Sequence, residues 1–499
     1  MQFGRMIEGL DTVAVRGPRD IEVVGLGCDS REVAPGWAFV ALKGEKTDGV
    51  EFVSKALEAG ATAILCDRDI PVPPTVGFAQ LAQPREGMAE AARRVYGCPD
   101  ETLPVIAVTG TNGKTTTTTL IRQLFRGAGR SCGLIGTVLN AAGAEEVEAT
   151  RTSPESPVFY RWLKKSLDAG DAALAIETSS HAFCLARVHG AHFRVGVFTN
   201  LTQDHLDFHG DMESYFQAKC RLFQQADRAL VNGDDPYGQR LMAERPGRSR
   251  FRSYGIDQAA DYRVTDLRLS PTGTRFRLTT PGGAWEIESP LLGRFNVYNL
   301  LSALAATAEA GFHLPDLLPG LATLTGAPGR LDRVDCGQPF GVMVDYAHTP
   351  DALEKLMAEG RRLLRPGGRL HVIFGCGGDR DRAKRPIMAA AVASGADVVW
   401  HTSDNTRFED PERILDDAAA GVPDAVRQDG ARYHRVTDRV DAVRAALADC
   451  RAGDLLLIAG KGHEPYHEVR GVKHPYSDRG AVEAVLRGEP IARPWSEQP

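Results

Sequence analysis

The chain has 499 residues, 43% hydrophobic and 25% charged, with a formal net charge of −6. These values fit a soluble protein of about three domains, and the lack of a long basic run argues against nucleic acid as a partner. Nine scattered cysteines, none at CxxC spacing, argue against a disulfide framework or a cysteine zinc site and fit a reducing cytosol. The first residues hold no apolar segment of signal-peptide length, and no window approaches about 18 consecutive apolar residues, so no membrane span is expected.

Three blocks are expected in chain order. Residues 1–100 carry "GLGCDSREVAPGWAFVALKGEKTDGVEFV" and end near "VYGCPDETLP". Residues 101–335 open on the threonine-rich "VIAVTGTNGKTTTTTLIRQLF" and include "DYRVTDLRLSPTGTRFRLTTPGGAWEIESPL", which reads as antiparallel strands inserted before a helix. Residues 336–499 form the third block. Short β-branched runs such as "ALAIETSS", "VGVFTNLT", "RALVNGDD", "GVMVDYAH", "RLHVIFGC", "ADVVWHTS" and "LLLIAGKG" alternate with helical patterns such as "RVDAVRAALADC". That alternation predicts an α/β protein with parallel sheets, in which polar residues closing each strand gather at one edge.

Between the strand "VIAV" and the helix "TTLIRQLF", the segment "TGTNGKTT" reads as a phosphate loop. Gly110 and Gly113 let backbone N–H groups turn toward an anion, Lys114 supplies a point charge, and the Thr115 hydroxyl suits Mg²⁺. Val108 stands where the strict pattern has glycine. The later threonines are expected to pack against the sheet, some as helix caps. Glu177 closes the next strand and offers a carboxylate to complete a magnesium site with Thr115. His205 and His209 lie four apart, but Leu206 stands where a helical zinc motif needs glutamate, so that reading fails. In "SYFQAKCRLF", Phe216, Cys220 and Phe223 define one helical face, with Lys219 at its edge. Read alone, Lys219 is a snorkelling lysine. If buried instead, its amine would favour the neutral form, which reacts with carbon dioxide to give an anionic carbamate.

The ordered motifs "GTNGKTT", "ETSSHAF", "TNLTQDHLDFHGDMESYFQAK", "LLGRFNVYNLLSAL", "PGRLDRVD", "VDYAHTPDAL" and "FGCGGDRDRAKRP" span nearly the whole chain. Together they resemble the Mur ligases, ATP-dependent amide-forming enzymes that build the peptide stem of peptidoglycan. The resemblance implies three domains: an N-terminal α/β uridine-binding domain, a central P-loop ATPase-type domain, and a C-terminal Rossmann-like domain. It is closest to the members that add the third residue, a diamino acid, to UDP-N-acetylmuramoyl-L-alanyl-D-glutamate. It also implies a cytoplasmic monomer that uses ATP and Mg²⁺.

Residue roles follow from that resemblance. Gly110, Thr111, Asn112, Gly113, Lys114, Thr115 and Thr116 would hold the ATP phosphates. Thr115 and Glu177 would serve one magnesium, and His205 with carbamylated Lys219 a second. Asn296 and Asn299 match the adenine side, Arg330 and Asp345 would reach ATP from the third domain, and His348 would lie near the transferred phosphate. Ser30 resembles a uridine contact. Thr152, Ser153, Ser179 and Arg187 match the hold on the muramyl dipeptide, although Leu185 replaces a frequent glutamine. "SDNTR", with Asp404, Asn405, Thr406 and Arg407, resembles the signature for meso-2,6-diaminopimelate, with Thr406 where proline is usual; Arg380, Gly460 and Glu464 match its other contacts. L-lysine as the added residue, a folylpolyglutamate-synthetase-like ligase, and a P-loop switch or motor are the competing readings.

Overall fold

The computed structural model describes residues 1–44, 47–244, 250–270 and 273–493, with the side chain of Asp207 also left out. Pro271 and Thr272 of the expected strand insert lie outside these residues. Packing divides the chain into two compact units. One comprises Met1–Arg268, Arg275–Pro290 and Phe295–Leu324; the other comprises Leu269–Thr274, Leu291–Arg294 and Thr325–Pro499.

The first unit holds two sheets. A five-stranded sheet occupies the first block, with Gly25–Gly27, Trp37–Ala41, Ala63–Cys66 and Gly77–Leu81 parallel and Thr12–Arg16 antiparallel at one edge. Its apolar face, including Phe3, Leu26, Val40, Leu65 and Met88, is continuous with the core under the central sheet around Val105, Phe159, Leu174 and Phe193. The first hundred residues therefore share a core with the middle of the chain.

The central sheet has eleven strands. Its middle runs in the spatial order Phe251–Gly255, Ala226–Asn232, Phe193–Phe198, Val105–Thr109, Leu174–Glu177 and Gly133–Ile135, all parallel. Val105–Thr109 and Leu174–Glu177 are buried at every position, as strands covered on both faces must be. This order brings Asn232, Thr199, Gly110, Glu177 and Thr137 side by side at the carboxyl edge. The inserted segment forms the strands Tyr262–Ser270, Gly273–Thr280 and Gly283–Ser289 at one end of the sheet. The first of these pairs parallel with its neighbour Phe251–Gly255, which precedes the insert.

The second unit is built on a six-stranded sheet. In spatial order, Gly341–Asp345, Leu455–Ala459, Leu370–Cys376, Val398–Ser403 and Tyr433–Arg435 are parallel, and Asp332–Arg333 adds an antiparallel edge. Helices cover both faces. Pro350–Leu363, Lys384–Gly395 and Pro411–Ala419 bury Leu353, Met388 and Ile414 on one side; Arg439–Asp449 and Asp478–Arg487 bury Val443 and Val482 on the other. The strand ends Asp345, Ala459, Cys376 and Ser403 again share one edge. Among the described residues, no helix is long and apolar enough to cross a membrane.

One fully buried ion pair ties two of those strand ends together. Arg439 donates from Nε and Nη2 to the Asp478 carboxylate at 2.8 and 2.7 Å, and from Nη1 and Nη2 to the carbonyls of Ser403 and Ala459 at 3.2 and 2.9 Å. Both side chains have 0% exposure. Removing one partner strands a buried charge, so Asp478→Asn is expected to destabilise the protein by about 3–5 kcal/mol. Replacing both partners, Arg439→Met with Asp478→Leu, should cost less, and denaturant unfolding of the two variants checks the order.

Candidate functional site

The phosphate loop follows directly from its strand. The helix Lys114–Gly127 starts at the loop, with Gly113 at its N-cap in the left-handed region at φ 88°. Gly110 has φ 144°, and a Cβ there would come within 1.9 Å of Thr199 Oγ1. Only glycine fits, because the next strand's exit packs onto the loop. That exit is the loop's scaffold. The Asn200 carbonyl accepts from Thr111 N at 2.9 Å, Asn200 Oδ1 accepts from Asn112 N at 3.0 Å, and Thr199 Oγ1 donates to the Asn112 carbonyl at 2.6 Å. Asn232 Nδ2 holds the Thr199 carbonyl in turn, at 2.9 Å.

The threonine run is also explained. Thr115, Thr116, Thr117 and Thr118 are all buried. Thr115 Oγ1 donates to Glu177 at 2.8 Å, Thr117 Oγ1 meets Ser302 Oγ at 3.0 Å, and Thr118 Oγ1 bonds back to the Lys114 carbonyl at 3.1 Å. None of these threonines occupies the cap position, which is Gly113, so the expected capping role is corrected to tertiary and back-bonding contacts.

Two amines converge on one loop carbonyl. Lys114 Nζ donates to Gly110 O at 2.9 Å and to Thr111 O at 2.8 Å. Lys219 Nζ donates to the same Gly110 O at 2.8 Å. Lys219 sits on the helix Met212–Cys220 and is only 1% exposed, so it does not snorkel. Burial drives its amine well below the usual lysine range, Lys114 adds to that effect, and Asp204 opposes it. The Tyr215 ring, 4.5 Å from Nζ, favours the charged form. Desolvation outweighs that attraction, because the group has left water completely.

Glu177 is buried and held by three donors: Thr115 Oγ1 at 2.8 Å, Thr137 N at 2.7 Å and Thr137 Oγ1 at 3.1 Å. A carboxylate and a hydroxyl at the end of the phosphate loop are hard oxygen donors, the type magnesium takes. His205, half exposed at φ 53°, packs near His181 and Tyr215, with ring centroids 5.0 and 6.2 Å apart, and its Nε2 lies 3.3 Å from Asp204. His209 turns instead to Ser180 Oγ at 2.8 Å. His205 precedes the helix Leu206–His209, so the two histidines are not a helical pair.

The residues matched to the dipeptide form a connected run. Thr137 Oγ1 lies 3.1 Å from Thr152 Oγ1; Ser153 Oγ donates to the Glu177 carbonyl at 2.8 Å and lies 3.2 Å from Ser179 Oγ. Arg187 reaches the Ser153 carbonyl at 3.1 Å and Glu155 at 3.0 Å. Burial lowers the Arg187 guanidinium's pKa, and Glu155 counters that shift. Glu155 also pairs with Arg85 and Arg151, both at 3.2 Å. Ser30 is buried in the loop after Gly25–Gly27. Its neighbour Cys28 is pushed up to about 12 by burial, with Glu155 contributing. On the helix Arg294–Glu309, the buried Asn299 donates to Asn296 at 3.2 Å, and its Oδ1 would lie 2.6 Å from a Cβ at Gly113. The matched asparagines and the phosphate loop are therefore neighbours.

In the second unit, Asp345 accepts from Leu331 N at 2.7 Å and Ala347 N at 2.8 Å. Burial raises its carboxyl, against the pull of Arg330. Arg330 lies over the Tyr346 ring at 4.8 Å, and its buried Nε has no hydrogen-bond partner among the described residues. His348 is exposed, with Nδ1 2.7 Å from the Tyr346 carbonyl. Asn405 Nδ2 donates to Glu464 at 2.7 Å, while the fully buried Lys461 donates to Asn405 Oδ1 at 2.6 Å and reaches Glu464 at 3.4 Å. Burial raises Glu464. Burial also pushes Asp404 upward, but Lys461 and Arg439 outweigh it and hold the carboxyl at about 2. A Cβ on Gly460 would lie 2.6 Å from Asp404 Oδ2. Arg407, at φ 50°, pairs with Glu468 at 3.3 Å and donates to Gly378 O at 2.8 Å. Thr406 is buried and Arg380 exposed.

The motif reading did not assign roles to Thr137, Glu155, Arg85, Thr199, Asn200, Tyr215 or Lys461. Thr199, Asn200 and Tyr215 stand in the quoted motif "TNLTQDHLDFHGDMESYFQAK" and Lys461 in the run "LLLIAGKG", and that membership is their only sequence signal.

Comparison with known proteins places the chain in a family. Three family models match in order: "Mur ligase family, catalytic domain" over 22–101, "Mur ligase middle domain" over 108–307, and "Mur ligase, glutamate ligase domain" over 329–462. A UDP-N-acetylmuramoyl-L-alanyl-D-glutamate–2,6-diaminopimelate ligase of Geobacillus thermodenitrificans is 43% identical over 477 residues, covering 93% of this chain and 95% of the relative. The protein of the same name from Solibacter usitatus is 43% identical over 472 residues, with 94% of each chain covered. A solved structure titled with the same ligase name aligns at a TM-score of 0.69 and 35% identity, covering 98% of this chain and 99% of the other. The chain therefore belongs to the Mur ligase family.

Proposed function

We propose that this enzyme joins meso-2,6-diaminopimelate to the D-glutamate side-chain carboxylate of UDP-N-acetylmuramoyl-L-alanyl-D-glutamate, using ATP, in the cytoplasm. The observation that carries the reading is a phosphate loop whose own Gly110 carbonyl receives the amine of a fully buried lysine from a separate helix. A simple P-loop switch has no use for that lysine. The nine free cysteines fit a reducing compartment.

The reaction begins with transfer of the ATP γ-phosphoryl group to the acceptor carboxylate, giving ADP and an acyl phosphate. The amine of the incoming diamino acid then attacks the acyl carbon. A C–N bond forms, the C–O bond to phosphate breaks, and the amine proton leaves. Anions brought together in this way repel strongly, so positioned positive charge does most of the work. The phosphate loop and Lys114 hold the nucleotide phosphates, Asn296 and Asn299 the adenine side, and Arg330 and Asp345 belong to the same task. Ser30, Thr152, Ser153, Ser179 and Arg187 hold the UDP-muramyl dipeptide. Thr115 and Glu177 suit one magnesium ion, and His205 with a carbamate on Lys219 a second. Magnesium, when bound, supplies Lewis-acid charge that neutralises the phosphates. His348 is the candidate acceptor of the amine proton.

The burial of Lys219 supports a carbamate there. Its neutral nitrogen attacks the carbon of carbon dioxide; a C–N bond forms, one C=O electron pair moves to oxygen, and the nitrogen proton goes to solvent. The resulting anion would attract the Lys114 ammonium, which the neutral amine does not. For the diamino acid, Arg407 gives a planar, two-pronged grip on a carboxylate that lysine lacks, with Arg380, Asp404, Asn405, Thr406, Gly460 and Glu464 completing the pocket.

Two measurements test this reading. Phosphate release should require ATP, the UDP-muramyl dipeptide and an amino acid together, with kcat/KM for meso-diaminopimelate above that for L-lysine by roughly a hundredfold or more. Equal use of the two amino acids would remove the Arg407 argument, and hydrolysis needing neither acceptor would remove ligation. Lys219→Ala should lose most activity and partly recover with added short-chain carboxylic acids. Full activity in that variant without additives would exclude the carbamate.

A further inference from the structure

The amino-acid loop contains an anomaly. Arg407 is held in the left-handed region at φ 50°, a costly conformation for a side-chain-bearing residue. Neighbouring contacts must fix it.

Two segments meet there. The exit of the strand Leu370–Cys376 runs over Gly377, Gly378, Asp379 and Arg380; the exit of Val398–Ser403 runs over Asp404 to Glu409. They pack backbone on backbone. Gly378 N donates to Asn405 O at 2.9 Å, and a Cβ on Gly378 would lie 1.9 Å from the Thr406 carbonyl. Arg385, on the helix Lys384–Gly395, has a side chain only 1% exposed and lies beneath both segments. Its Nη2 donates to Gly377 O at 3.2 Å and to Glu409 Oε1 at 2.7 Å; its Nη1 donates to Glu409 Oε2 at 3.1 Å and to Asp417 Oδ2 at 2.8 Å. Glu409 then accepts from Asp379 N at 2.5 Å and from Arg382 Nη2 at 2.7 Å. Each end of the pair therefore grips the first segment, and Glu409 belongs to the second.

From this geometry we infer that the Arg385–Glu409 pair is a specificity-positioning clamp: it locks the Gly377–Arg380 segment against the Asp404–Glu409 segment and so fixes Arg380 and Arg407 for the incoming diamino acid. Neither residue needs to touch the substrate. The inference rests on the proposed diaminopimelate reading. Bidentate guanidinium–carboxylate geometry is directional, so it constrains orientation as well as distance.

The test compares kcat/KM for meso-diaminopimelate and L-lysine, and KM for ATP and the UDP-muramyl dipeptide, in the full-length enzyme. Glu409→Gln keeps the shape but loses the charge-assisted grip. The double variant Arg385→Met with Glu409→Leu leaves neither partner of the pair as an unmatched charge, which keeps a folded protein for the measurement if the single variant collapses. The expected result is a rise in KM for diaminopimelate of roughly tenfold or more and a similar fall in its preference over lysine, with the other two KM values within about twofold. Folded variants that retain wild-type KM and preference overturn the clamp, as does an equal loss with all three substrates. A wild-type enzyme that shows no preference fails the functional reading instead, before any variant is made.

Discussion

Two lysine amines end on the same carbonyl oxygen, that of Gly110, and one of them is buried. Like charges at that range in a low-dielectric site are unfavourable, so burial and the neighbouring Lys114 both push the Lys219 amine toward its neutral form. The remaining charge, on Lys114, sits at the mouth of the loop beside a helix N-terminus. In the proposed reading this division of labour is a cation on Lys114 for phosphate and an amine on Lys219 that carbon dioxide would turn into an anion. The surrounding elements serve that arrangement: the Thr199–Asn200 exit braces the loop, and Thr137 and Thr115 fix Glu177 beside it.

The second unit uses buried charge in another way. Arg439 joins Ser403 to Ala459, Arg385 joins Gly377 to Glu409, and Lys461 joins Asn405 to Glu464. Each buried cation spans two strand exits on the same sheet edge. A parallel sheet sets the exits side by side but leaves their loops with few backbone partners. Buried cations with several directional donors supply what the sheet does not.

Much of the site was legible in the sequence because it lies in strand–loop–helix punctuation. Gly110, Gly113, Lys114 and Thr115 follow an apolar strand, and Glu177 ends another. Parallel topology places those ends together whatever the rest of the sequence does. Lys219 was not legible in the same sense. Its position at the edge of an apolar face permits either snorkelling or burial, and the choice depends on Tyr215 and the loop carbonyl, which arrive by tertiary packing. Glu155 and Arg85, 70 residues apart, look like ordinary surface charges until the first sheet packs against the second. The parallel pairing of Tyr262–Ser270 likewise reflects continuation of a parallel sheet, which strand alternation cannot reveal.

The neutral state of Lys219 is the claim on which the ligase chemistry turns. Carbon NMR of the protein equilibrated with isotopically labelled carbon dioxide, in the wild type and in Lys219→Ala, tests it most directly. The account predicts a carbamate resonance in the wild type that is absent from the variant. Identical spectra, with no carbamate signal at any carbon dioxide concentration, would contradict it.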